Sequence, residues 1–219
     1  MTNYKLIRKK RKSIGIYIKN AQVEVRAPLK YPEKEIDKFV HEKEDWIIEK
    51  LNLQQQRCEV SYGSFILLLG KEYPIMEHDI KIAEFDGSAF KIPQGLASEE
   101  IKNACTTIYR AQAKIIIQQR VNHHADIMQV APKSVKINAA KTRWGSCSNR
   151  GSLNFSWRLI MADHDTIDYV IIHELAHLRE MNHSPRFWII VEKFAPDYKK
   201  SKEHLKKLQN ALLWKIGDC

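Results

Sequence analysis

The chain opens with strict alternation. Ile14, Ile16 and Ile18 in SIGIYIKN, then Val23 and Val25 in QVEVRAP, sit on either side of a polar Lys19-Asn20 turn, the two-residue period of a β-hairpin. The period then changes. Pro32-Glu33-Lys34-Glu35 opens a helical stretch to about Gln55, in which Ile36, Phe39, Val40, Trp46, Ile47 and Leu51 recur at spacings of three and four, with Trp46 assigned to the core. From Tyr62 to Pro93 the apolar runs SFILLLG, YPIM, IKIAEF and AFKIP, broken by glycines that include Asp86-Gly87, read as further strands.

A long helix is expected from about Ser98 to Met128, burying Ile101, Ala104, Cys105, Ile108, Ala111, Ile115 and Val121. Strand character returns between Val135 and Ile160, where Ser148-Asn149-Arg150-Gly151 is a tight turn joining two antiparallel strands. Asp163 or Asp165 can cap a helix through DTIDYVIIHELAHLRE, Ser184-Pro185 starts another, and a basic helix runs from about Asp197 to Leu213. The expected fold class is α+β: a β-rich N-terminal lobe with one helix over residues 1–95, and a second lobe over 96–219.

Composition changes this picture little. At 219 residues, with 44% hydrophobic and 28% charged residues, the chain can bury a sizeable core, which excludes a disordered tail protein. Charge adds more: 36 basic against 26 acidic residues leaves +10, so anionic partners, nucleic acid among them, are favoured. The basic residues concentrate in KLIRKKRK at Lys5 to Lys12 and in Lys193, Lys199, Lys200, Lys202, Lys206 and Lys207. Such clusters are equally the solvated faces of a strand and a helix, and no aromatic interleaving of the RNA-binding type accompanies them. Cys58, Cys105, Cys147 and Cys219 show no C-x-x-C spacing, which argues against a zinc ribbon or a dithiol redox motif. No apolar run approaches the ~20 residues of a membrane span and no signal-peptide core follows the basic N-terminus, so a cytoplasmic location without membrane association is expected.

The chemistry concentrates in His173-Glu174-Leu175-Ala176-His177. Residues four apart lie on one helix face, so both imidazoles can reach one cation, while Glu174 projects beside them toward a water ligand of that cation. The residues before it, Tyr169 to Ile172, are apolar, as in a buried helix, where unpaired imidazoles and a carboxylate are costly without a metal. His183 follows six residues on, past a helix end expected near Met181-Asn182, and can supply a third ligand while one coordination position stays open. Glu180 and Glu192 are weaker candidates for that third place. Arg143, Tyr198, His204 and Lys141 are available by type to touch substrate or stabilise a transition state. Trp144 and Trp157 are assigned to the core, and Cys147 to packing beside the site.

RWGSCSNRGSLNFSWRLIMA followed by DYVIIHELAHLREMNHSPRFW resembles the YgjP-like metallopeptidases, relatives of the WLM and SprT-like zinc-dependent groups, and RKKRKSIGIYIKN with VEVRAP and the Trp46 helix resembles the same family. The resemblance implies a zincin-like catalytic lobe with an HExxH helix, zinc (or another divalent metal) on His173, His177 and His183, and Glu174 as the general base that activates the metal-bound water. The substrate stays open. The first expectation is a metallopeptidase acting on polypeptide, with the strand pair before the helix holding an extended substrate by β-augmentation. An alternative is a nucleoside triphosphate pyrophosphatase or phosphohydrolase, which needs the same water-activating parts and suits the charge. The third is a DNA-associated zinc protein or protease.

Overall fold

The computed structural model describes residues 2–19, 22–58 and 60–212, which pack as two compact units. The first comprises the described residues up to Val60. Its three-stranded sheet contains β1 (Tyr4–Lys9), β2 (Gly15–Lys19) and β3 (Gln22–Pro28) in the order β1-β3-β2. The hairpin forms with Ile16 opposite Val25 and Ile18 opposite Val23, although Asn20 of its turn lies outside the described residues. The basic N-terminal run becomes β1, parallel to β3 with Leu6 opposite Val25. Lys5, Arg8 and Lys9 are exposed along this edge strand, where charge discourages pairing with another chain.

Two helices, α1 (Glu33–Glu42) and α2 (Glu44–Cys58), replace the single expected one. The break falls at Lys43, whose backbone leaves the helical region (φ −108, ψ 11). Ile36, Val40 and Ile47 join Val23, Val25 and Ala27 in the core with Leu51 packed against it, and Trp46, one residue round the helix from Ile47, is left 42% exposed rather than buried.

The second unit runs from Ser61 and holds a four-stranded sheet, β4 (Phe65–Leu68), β5 (Lys71–His78), β6 (Glu84–Phe85) and β7 (Phe90–Pro93), in the order β4-β5-β7-β6. Expected in the N-terminal lobe, these strands pack instead with the C-terminal half. The physical reason lies at the β4–β5 turn, where the Leu69 and Gly70 amides donate to Ile160 and Met161 carbonyls at 2.7 and 3.2 Å. Tyr109 adds an O–H bond to the Leu67 carbonyl, and Phe90 packs against the Tyr109 ring.

Helix α3 (Ser98–Met128) has the predicted bounds and buries Ile101, Cys105, Ile108 and Val121 of the expected stripe, but its inward face is rotated toward Tyr109 and Ala113. Ile101, Cys105, Tyr109, Ala113, Ile117, Val121 and Ala125 form the buried row, while Ala111 is exposed and Ile115 is 54% exposed. Both rows are periodic in the sequence, and the one carrying the large Tyr109 ring, stacked on Trp157, is buried. A second sheet, β8 (Ser134–Asn138), β9 (Gly145–Cys147) and β10 (Ser152–Ser156), has the order β8-β10-β9, so β9 is an edge. Its β9–β10 turn closes through Gly151 at φ +75. A 3₁₀ turn (Trp157–Met161) leads into α4 (His164–Ala176), α5 (Pro185–Phe194) and α6 (Tyr198–Leu212); Leu213 lies outside the described residues. Cys105 and Cys147 are free thiols; Cys219 and the Cys58 side chain fall outside the described part. Among the described residues no helix is long and apolar enough to cross a membrane.

Candidate metal centre

Helix α4 is the central element of its unit. Asp163 caps it, its carboxylate accepting the Thr166 amide at 2.8 Å, and Ile167, Ile171, Leu175 and Ala176 are fully buried. Regular helix ends at Ala176, earlier than the end near Met181-Asn182 that the sequence suggested, because the Leu178 and Arg179 amides close back onto the carbonyls three residues earlier. His177 still has helical angles (φ −64, ψ −19), which keeps its imidazole on the face of His173. The chain then doubles back through Met181 and Asn182. Ser184 caps α5 through the Phe187 amide with Pro185 in the first turn, and this stop leaves His183 pointing at the α4 face.

The ligating atoms of His173, His177 and His183 all lie within 4.8 Å of one another. Nε2 of His183 stands 3.1 Å from Nε2 of His173. The Glu180 carbonyl, 3.2 Å from His177 Nδ1, can only accept, so Nδ1 carries the hydrogen and Nε2 keeps its lone pair free for a ligand role. Burial, then the neighbouring His177 and His183 and the Lys202 charge, push the His173 pKa down to about 3, and burial lowers that of His177. His173 Nδ1 is buried without a hydrogen-bond partner. Converging imidazole nitrogens are held against one another at a cost that a cation removes, and three such donors with one position open fit zinc. The Phe187 ring, itself fully buried, packs under all three imidazoles, with centroids 4.9, 4.5 and 4.8 Å away.

Glu174 is 6% exposed, and burial raises its pKa to about 7. Strand β9 lies against it. A Cβ added to Gly145 would stand 2.6 Å from Glu174 Oε1 and 2.7 Å from its Cγ, so glycine is what lets the backbone approach the carboxylate. Cys147, two residues along the same face of β9, has its thiol pKa raised by burial and by the Glu174 charge, consistent with packing beside the site. Trp144 O accepts from the Ser156 amide and the Ser148 amide donates to Ser152 O. By the alternation of antiparallel pairing, the peptide groups of Gly145 and Cys147 therefore face the open edge.

The remaining candidates divide. Tyr198 stacks on Trp188 at 5.3 Å, and Trp188 stands 5.9 Å from the His183 ring, so Tyr198 is one aromatic ring removed from the triad. Lys141 and Arg143 are exposed in the loop before β9. His204 belongs elsewhere: its Nδ1 lies 2.7 Å from Asp163 and 3.1 Å from Thr166, tying α6 to the start of α4. Those residues lie about 10 to 15 Å along the helix from His173, at 1.5 Å per residue. Glu180 approaches His177 through its backbone carbonyl rather than its carboxylate, and Glu192 is exposed on α5; the ligating group found among the described residues contains neither. The sequence did not single out Gly145, Phe187 or Trp188. The apolar RFWII run after Pro185 signalled a packed helix face, but nothing in it says that the face meets imidazoles.

A family model described as YgjP-like, metallopeptidase domain, matches residues 12–208. Among solved structures, the metallopeptidase zymogen of Pyrococcus abyssi abylysin is 26% identical over 46% of this chain and 99% of its own, with a TM-score of 0.39. That of Methanocaldococcus jannaschii jannalysin is 21% identical over 43% of this chain and 95% of its own, with a TM-score of 0.37. Among curated proteins, none matches.

Proposed function

Because the chain belongs to the YgjP-like metallopeptidase family, we propose that it is a zinc-dependent peptidase whose ion is held by His173, His177 and His183 and whose general base is Glu174. The observation that carries this is the convergence of three imidazoles beside a buried carboxylate. A bound zinc ion supplies Lewis acidity, acidifying a water in its open position and polarising the carbonyl under attack.

The protein's own groups do the rest. Glu174, its pKa raised to about 7, takes the proton of the attacking water at a carboxylate oxygen and returns it to the leaving nitrogen, so one group serves as base and then acid. Gly145 confines that carboxylate from behind. The edge-facing peptide groups of Gly145 and Cys147 give an extended substrate strand a partner, which supports polypeptide as substrate.

The test is a parallel assay of an unstructured protein and a nucleotide panel with metal-loaded wild type and Glu174→Gln. Cleavage of the protein by wild type alone is expected. A second reading, hydrolysis of a nucleoside triphosphate, is favoured by the +10 charge and uses the same residues. Phosphate or pyrophosphate release that disappears in Glu174→Gln, without any proteolysis, would replace the peptidase reading with it.

A further inference from the structure

Beside the triad lies a basic shelf built from the first turns of α6. Trp188 stands 5.9 Å from the rings of both His173 and His183, and Tyr198 stacks on Trp188 at 5.3 Å. Over these rings sit two ammonium groups, Lys202 Nζ 5.5 Å from Trp188 and Lys199 Nζ 5.9 Å from Tyr198. Three residues apart on one helix, the two lysines share a face. Their neighbour Lys200 is paired with Asp197 at 2.9 Å.

Resting on the peptidase reading above, we infer that this shelf is a substrate subsite selecting an acidic side chain near the scissile bond. The two separations place Lys202 Nζ within about 11 Å of the His183 ring, and at roughly 3.3 Å per extended residue that is two to three positions along a bound strand. The half-buried indole offers an apolar wall for the methylenes of a glutamate, and the exposed ammonium groups can meet its carboxylate. Solvation of a lysine face does not explain why its cations are stationed over the aromatic rings that border the metal ligands.

Two measurements test this. Cleavage sites in unstructured proteins are mapped for wild type, Lys202→Gln, Lys199→Gln and Lys202→Arg, and matched peptides with glutamate or glutamine two or three positions from a mapped bond are compared by kcat/KM. Wild type should prefer glutamate, the preference should fall about two- to fivefold for each glutamine variant and with added salt, and arginine should restore it. Independently, the labelled peptide pair is titrated onto metal-loaded Glu174→Gln, where the acidic member should bind more tightly and lose that advantage with Lys202→Gln. Peptide cleavage without a glutamate preference, or a preference untouched by either lysine, overturns the subsite and leaves the peptidase reading standing. Nucleotide turnover with no proteolysis at all overturns both.

Discussion

Replacing Gly145 with alanine places a methyl carbon 2.6 Å from Glu174 Oε1, 2.7 Å from Cγ and 2.9 Å from Cδ, all closer than van der Waals contact permits. Glu174 is 6% exposed on a helix surrounded by core, so it cannot swing out to solvent. Either its χ angles leave their wells, at about 0.5–1.5 kcal/mol, or β9 moves away. Overpacking of this kind costs about 1–3 kcal/mol, which at roughly 2–4 °C per kcal/mol is a fall in Tm of several degrees. Displacing the base by about 1 Å should lower kcat on the order of a hundredfold, while zinc affinity, set by the histidines, stays within a few-fold. The assay is a double-mutant cycle on the metal-free protein by thermal unfolding, alongside kinetics of the loaded single mutant. In a Glu174→Ala background the colliding atoms are gone, so Gly145→Ala should lose most of its effect. An equal loss of Tm in both backgrounds, or an unchanged kcat, refutes the reasoning.

Glu174→Gln should lower turnover by about a hundredfold or more with zinc stoichiometry intact, as elemental analysis beside a cleavage assay will show. Because burial raises the Glu174 pKa from its usual 4.5 to about 7, its folded-state ionisation is unfavourable. The metal-free wild type should therefore lose stability relative to Glu174→Gln as pH rises from about 4.5 to 7, and the gap should then level off; a gap that narrows over that window contradicts the assignment. Phe187→Ala removes the ring beneath all three imidazoles, so calorimetry should show a stability loss of about 3–5 kcal/mol and competition with a chelator a weakened zinc affinity, with Phe187→Leu intermediate in both. His204→Ala should reduce Tm through the lost Asp163 contact without changing zinc uptake.

What the sequence made legible was local. The His173 and His177 spacing, the Ser184-Pro185 helix start, the Asp163 cap and the Gly151 turn are each written in a few adjacent residues, and each appears in the structure. What stayed hidden depends on packing between distant segments. The phase of α3 was ambiguous because rows through Ala111 and Ala113 are both apolar, and only the Tyr109–Trp157 stack selects one. Trp46 turned outward because Ile47, eleven residues after Ile36 and seven after Val40, continues their row into the core and leaves its neighbour about 100° round the helix. The place of β4–β7 rested on backbone bonds from Leu69 and Gly70 to residues some ninety positions later. Gly145 read as an ordinary strand glycine until Glu174 was found against it.

The most direct test is anomalous diffraction at the zinc absorption edge from crystals of the zinc-loaded protein. One ion should appear, bound by nitrogens of His173, His177 and His183 at about 2.0–2.1 Å with its remaining position turned toward Glu174. An ion bound without His183, or no ion at these three side chains, would contradict the account.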